Sequence, residues 1–142
     1  MDKKNVGFTA EEYFNSGFNC AESVSLAITE VFQKNIKTDI PKVASFFGGG
    51  VGSTHREMCG AISGAVLAIG LLLGRTNPKI DIDEHKEIVK KILDVFNKNY
   101  STTKCEKLIE GLDKKAQLEK CTEIVGFITE LVYENITIKS TL

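Results

Sequence analysis

A dominant charge of one sign is missing from this sequence of 142 residues. Eighteen Lys and Arg residues are balanced by 19 Asp and Glu residues, which leaves a formal net charge of −1. Proteins that bind nucleic acid or anionic membranes usually carry a basic patch or a clear basic excess. The balance therefore argues against both as partners, and it is ordinary for a globular domain.

Long apolar runs are missing as well. The longest, AISGAVLAIGLLLG at residues 61–74, has 14 residues. A membrane-spanning helix needs about 20 apolar residues, so this run predicts a buried core helix with no membrane insertion. The first residues, MDKKNVGFTAEEYF, lack the apolar centre of a secretory signal. We therefore expect a cytoplasmic protein.

Proline is scarce, with two residues in the chain, and alternating strand patterns are weak. Apolar residues instead recur at spacings of three and four, which is typical of amphipathic helices. We predict an all-α fold, a single-domain helical bundle of about five to six helices over residues 1–142. A capping box of Thr9 and Glu12 is expected to begin the first helix. The predicted helices cover residues 9–17, 19–36, 58–74, 82–100, 101–111 and 121–135, with a short helical turn at 41–47.

Four cysteines need an explanation, because a reducing compartment favours metal binding or redox chemistry over disulfides. Each lies in the first turn of a predicted helix and on its apolar side. A helix N-terminus stabilises an anion, so we expect thiols with a lowered pKa that act as nucleophiles and metal ligands. Taken singly, each also fits a small buried apolar residue. The four are Cys20, Cys59, Cys105 and Cys121.

Helix order predicts where these thiols meet. Adjacent helices joined by short loops are normally antiparallel, so Cys105 and Cys121 return to the end of the bundle that carries Cys59. Cys20 joins them if residues 37–57 run back along the bundle. Four converging thiolates would repel one another unless they are protonated, oxidised in pairs or bound to a cation, and a soft metal centre resolves the repulsion.

Small residues surround the central cysteine. The loop GGGVGSTHRE at residues 48–57 offers tight turns and free N–H groups that can donate to sulfur. Glycines and alanines at four-residue spacing on the next helix allow close helix approach, and plain helix packing also explains them. The candidate cofactor-binding residues are Gly49, Gly50, Gly60, Ala61 and Gly64.

His55 lies in the same loop, four residues before Cys59. We expect a solvent-facing histidine, with a ligand or proton-donor role as the alternative if one cysteine stays out of the centre. His85, in the segment DEHKE, is expected on a solvated helix face. The loop contains neither G-x-x-x-x-G-K-[ST] nor G-x-G-x-x-G, so it does not predict a nucleotide site.

Taken together, these residues resemble the C_GCAxxG_C_C family of redox-active proteins. The matching segments are FNCAESV around Cys20 and FGGGVGSTHREMCGAISG around Cys59, followed by Cys105 and Cys121. The resemblance spans nearly the whole chain, although Met58 stands where the family name writes glycine before the cysteine. The chain is also similar to the iron–sulfur part of split-Soret cytochromes, but it has no C-x-x-C-H haem motif. The resemblance implies that the four cysteines are cluster ligands.

Three functions remain open. The leading hypothesis is a 2Fe-2S cluster that passes single electrons to an unknown redox partner protein. The second is a thiol–disulfide oxidoreductase in which Cys59 attacks and a neighbouring thiol resolves. The third is a structural zinc site, although cysteine spacings of 39, 46 and 16 are unlike the close pairs of zinc modules. The apolar helix faces leave room for a homodimer without requiring one.

Overall fold

The computed structural model describes residues 2–33 and 39–140, and the described part is helical. Its only strand-like pairing is an isolated antiparallel bridge between Met58 and Lys104. The predicted all-α fold is confirmed. The helices are α1 (Lys3–Asn15), α2 (Cys20–Phe32), α3 (Ile40–Ala44), α4 (Gly60–Leu73), α5 (Asp83–Tyr100), α6 (Cys105–Leu108) and α7 (Lys114–Ser140).

The core forms where α2 packs on α4 and α1 packs on α7, with α2 also contacting α1 and α7. Fully buried aliphatic side chains such as Val24, Ile62 and Ile128 fill it. α4 carries the long apolar run, but it is not covered on every side, since Val66 and Leu71 are exposed. The core holds α2, α4 and α7 at fixed positions, and three of the cysteines lie at the start of α2, at the start of α4 and two turns inside α7.

The first helix begins earlier than the sequence pattern predicts. Asp2 caps α1, and its side chain accepts a hydrogen bond from the Asn5 N–H at 3.0 Å. The predicted capping box of Thr9 and Glu12 is wrong, because Thr9 lies inside the helix and its hydroxyl donates to the Asn5 carbonyl. An aspartate cap one residue before Lys3 satisfies the first N–H groups, so the helix needs no later start.

A capping box does begin α2. The Asn19 side chain accepts from the Glu22 N–H, and the Glu22 carboxylate accepts from the Asn19 N–H. α2 ends at Phe32. The predicted continuation to residue 36 falls on residues 34–38, which lie outside the described residues.

The last helix differs most from the helix that the sequence predicts. α7 begins at Lys114, and the Asp113 carboxylate accepts from the Ala116 N–H at 2.8 Å. The polar segment before Cys121 is therefore helix and not a loop, because Lys, Gln, Glu and Ala are strong helix formers even without an apolar stripe. As a result, Cys121 lies two turns inside α7, and the prediction that all four cysteines occupy helix N-termini is wrong for this one.

Candidate functional site

All four cysteines line one cavity of about 280 Å³. Its walls are mainly apolar, with Phe14 from α1 and Ile124 from α7 among them. None of the four thiols forms a disulfide. The structure thus brings together the four residues that the sequence singled out, including Cys20, whose approach depended on the path of residues 37–57.

Cys20 is the first residue of α2, and it faces backbone N–H groups from two other segments. Burial raises the pKa of its thiol, and the N–H groups of Gly49 and Gly60 act in the opposite direction. Gly60 has to be glycine here, because a Cβ at that position would collide with the Cys20 sulfur. The Asn19 amide anchors the surrounding loop by donating to the Ser45 carbonyl at 2.8 Å.

Cys59 and Cys105 are joined by backbone pairing between two distant segments. The Cys59 N–H donates to the Thr103 carbonyl at 2.7 Å, and the Cys105 N–H donates to the Glu57 carbonyl at 2.9 Å. Cys59 caps α4 and Cys105 begins α6. Both are buried, at 8% and 9% exposure. The short antiparallel pairing therefore places both thiols at the same end of the bundle.

Burial changes the acidity of these thiols in the direction opposite to the sequence prediction. Burial, followed by the nearby Cys20, raises the pKa of Cys59 from its ordinary 9.0 to about 12. Burial and the charges of Cys20 and Cys105 raise the pKa of Cys121 to about 11. The pKa of Cys105 is also raised, with burial as the largest cause.

The expectation of thiols with a lowered pKa is therefore wrong for all four cysteines. Removing a charged group from water costs more than the helix-end and N–H contributions return. Mutual repulsion between neighbouring thiolates adds to the cost. A Cys59 thiol that stays protonated at neutral pH is a poor nucleophile, which argues against its predicted role as the attacking group of a dithiol enzyme.

The glycine loop has an unusual backbone. Five consecutive residues, 49–53, have φ between +57° and +66°, a left-handed run that includes Val51. A β-branched residue at positive φ is a genuine outlier. The Val51 side chain is exposed, but its N–H donates to the Phe47 carbonyl and its carbonyl accepts from the Thr54 N–H, which holds the backbone in place. The run turns the Gly49 N–H toward the Cys20 sulfur.

The predicted cofactor-binding residues divide into three groups. Gly49, Gly60 and Ala61 line the cavity, and the Ala61 N–H acts on the Cys59 thiol. Gly50 lies behind Cys105, where an added Cβ would come within 2.6 Å of the cysteine Cβ. Gly64 is not among the residues that line the cavity: it packs against the backbone of Ala21, so its role is the close contact of α2 with α4.

His55 is an exposed residue, as expected, but its ring contacts a cysteine sulfur. Its Nδ1 lies 3.3 Å from the Cys105 sulfur, and the side chain lines the cavity. His85 differs from its expectation, since it is half-buried and its Nδ1 lies 3.2 Å from the Leu73 carbonyl at the end of α4.

Three further lining residues come from the first turns of α7, in the segment that the sequence pattern assigned to a loop. They are Lys114, Gln117 and Leu118. The signal that could have found them is Asp113, a good N-cap residue before a run of helix formers. This part of the cavity wall is therefore formed by a helix rather than by a polar connection.

The four thiols do not form a compact single-ion site. Within residues 2–33 and 39–140, no three His, Cys, Asp or Glu side chains are grouped so as to hold one metal ion. None of the helices in the described part of the chain has the length and apolar composition needed to cross a bilayer.

Known proteins resemble this chain over most of its length. A family model described as "Putative redox-active protein (C_GCAxxG_C_C)" matches residues 18–135. The chain is also 27% identical over 136 residues to an Archaeoglobus fulgidus protein named "Uncharacterized protein", covering 88% of this chain and 89% of the relative. No solved structure matches the chain. The family resemblance predicted from the sequence is confirmed.

Proposed function

The chain belongs to the C_GCAxxG_C_C family of redox-active proteins, and we propose that its four cysteines hold a 2Fe-2S cluster that carries single electrons. The observation that carries this proposal is the convergence of Cys20, Cys59, Cys105 and Cys121 on one apolar cavity. Thiolates are the usual ligands of such clusters, with four cysteines for two irons. The cluster, when bound, accepts and releases one electron.

The surroundings of the thiols fit this group. Four thiols with raised pKa values, two of them buried and two half-buried, are unfavourable as free anions, and a bound cationic centre removes the repulsion between them. The N–H groups of Gly49 and Gly60 already face the Cys20 sulfur. Hydrogen bonds to sulfur and burial are the two means by which a protein sets the potential of a cluster.

Zinc fits the arrangement less well. A structural zinc ion needs all four sulfurs at about 2.3 Å from a single centre. The described thiols are not grouped around one such point. A two-iron cluster divides its four ligands between two metal ions, so it accepts thiols that are spread around the wall of a larger cavity.

Purification without oxygen tests the proposal. We expect a brown protein with iron and sulfide in equal amounts and a visible spectrum that dithionite bleaches. Cys121→Ser should lose most of the bound iron, because one of the four ligands is removed. Leu118→Ser is the matched control, since it alters the same helix and the same cavity wall without removing a thiol.

Other outcomes contradict the proposal. Zinc without sulfide would identify a structural metal site, which chelators should then unfold. A colourless, metal-free protein that also fails to take up iron and sulfide in vitro would leave thiol–disulfide chemistry as the function. An equal loss of iron from Leu118→Ser would mean that Cys121→Ser acts by disturbing the fold.

A further inference from the structure

The contact between His55 and Cys105 joins the glycine loop to α6. The ring Nδ1 lies 3.3 Å from the sulfur, within the range of a hydrogen bond to sulfur, although the two residues are 50 positions apart in the chain. The other histidine, His85, has its Nδ1 at the Leu73 carbonyl instead. The contact is therefore specific to one of the four thiols.

The backbone holds His55 at this position from both sides. Its N–H donates to the Gly49 carbonyl at 2.8 Å, and its carbonyl accepts from the Glu106 N–H at 2.7 Å. The residue has a φ of +62°, which directs the chain back toward α6. Because both backbone groups are used, the base of the imidazole has little freedom to move away from Cys105.

Gly50 makes this approach possible. An added Cβ at Gly50 would lie 2.6 Å from the Cys105 Cβ and 2.9 Å from the His55 Cα. Only a residue without a side chain leaves room for the histidine and the cysteine to come together. The loop is thus shaped around the pair, in the same way that Gly60 leaves room for the Cys20 sulfur.

We propose that His55 is a positioning residue that donates a hydrogen bond from Nδ1 to the Cys105 sulfur and thereby sets the reduction potential of the centre. This inference rests on the proposed 2Fe-2S function, and it assigns His55 a role beside the cluster rather than as a ligand to it. A donor stabilises the more negative, reduced state more than the oxidised state. The hydrogen bond therefore raises the potential.

Three substitutions separate the hydrogen bond from the backbone conformation. His55→Asn keeps a donor near the position of Nδ1, and asparagine tolerates positive φ. His55→Ala and His55→Gly both remove the donor, and glycine does so without strain at φ +62°. The measurement is a spectroelectrochemical titration of the cluster in each variant at a single pH, with iron content as a check on loading.

We expect the potential of His55→Asn to stay close to that of the wild type. The potentials of His55→Ala and His55→Gly should shift together to more negative values while their iron content is unchanged. An unchanged potential in fully loaded His55→Gly overturns the inference. A shift in His55→Asn as large as that in His55→Ala also overturns it, since the effect would not depend on a donor.

The metal-free protein provides a readout that does not depend on a cluster. A long-range proton–nitrogen NMR spectrum of the two histidine rings reports which nitrogen carries the proton. His85 is an internal reference, because its Nδ1 faces the Leu73 carbonyl, which can only accept. We expect Cys105→Ala to change the Nδ1 shift of His55 and to leave that of His85 unchanged, because only His55 contacts the Cys105 sulfur.

A His55 ring protonated on Nε2 alone, with no response to Cys105→Ala, overturns the inference even if a cluster is found. If no variant takes up iron and sulfide, the proposed function fails separately. The NMR result then decides whether the hydrogen bond exists. Failure of the function and failure of the inference are therefore distinguishable.

Discussion

The packed middle of the bundle and its cysteine end use the backbone in different ways. In the middle, regular helices carry buried aliphatic side chains. At the cysteine end, left-handed residues 49–53 and the pairing of residues 55–59 with 103–106 replace regular helix. The stability of the middle depends on the volume of its buried side chains. The geometry of the cysteine end depends instead on the direction of individual N–H and carbonyl groups.

A substitution that creates a new cavity in the packed middle should cause the largest loss of stability and the smallest change in iron binding. Ile128 is fully buried in α7 and does not line the cysteine cavity. Ile128→Ala should lower the free energy of unfolding by about 2–5 kcal/mol, because transfer and cavity costs add. Chemical denaturation measures this, with the exposed Leu71→Ala as control. Iron bound per folded chain should not change, and a proportional loss of iron would show that the two regions are not separable.

Adding a methyl group at the cysteine end should reduce iron binding more than it reduces stability. Gly60→Ala places a Cβ against the Cys20 sulfur and 3.0 Å from both the Gly48 Cα and the Phe47 carbonyl oxygen. We expect most of the bound iron to be lost, with a stability cost of about 1–3 kcal/mol from overpacking. Iron analysis and denaturation curves measure the two quantities.

Gly70→Ala is the matched control for that variant. Gly70 lies in the same helix, and an added Cβ there meets nothing within 4 Å. This change should stabilise the protein by about 1 kcal/mol through helix propensity and leave the iron content unchanged. Full iron loading of Gly60→Ala would disprove the close contact with Cys20.

The acidity of the buried thiols should make the stability of the metal-free protein fall at high pH. The pKa of Cys59 is raised from 9.0 to about 12 in the folded chain. Above pH 9 the unfolded chain therefore loses this proton first. The stabilisation, complete below pH 9, is lost progressively as the pH rises toward 12.

Denaturation of reduced, metal-free protein at pH 8 and pH 10 measures this effect. Cys59→Ala should show a smaller decrease in stability than the wild type, by about 1 kcal/mol for a single buried thiol. Tyrosines ionise in both proteins, and Cys59 is the smallest of the causes that raise the pKa of Tyr100, so most of the difference belongs to the cysteine. Identical decreases in the two proteins would contradict the raised pKa.

The positions of the cysteines show what can be predicted from neighbouring residues alone. Cys20 was correctly predicted at a helix start, because Asn19 and Glu22 form a capping box that involves neighbouring residues only. Cys121 was not, because the choice between loop and helix for the polar residues before it depended on Asp113 and on packing of α7 against α1. Periodicity detects apolar stripes, and the start of α7 has none.

His55 shows the same limit at the site. Its place in a glycine loop suggested solvent exposure, and the residue is exposed. The direction of its ring follows from backbone pairing with residues near Cys105, some 50 positions away in the chain. A pairing of this kind has no signature in either segment alone.

The sequence by itself determined the all-α fold, most of the helices and the family, and it singled out the four cysteines as the candidate site. These properties follow from spacing, capping and composition, which act between neighbours in the chain. Only the tertiary structure decided that Cys20 joins the other three thiols in one cavity, that the pKa values of the thiols rise, and that His55 faces Cys105. The physical reason is that burial and the direction of N–H groups are set by contacts between distant segments.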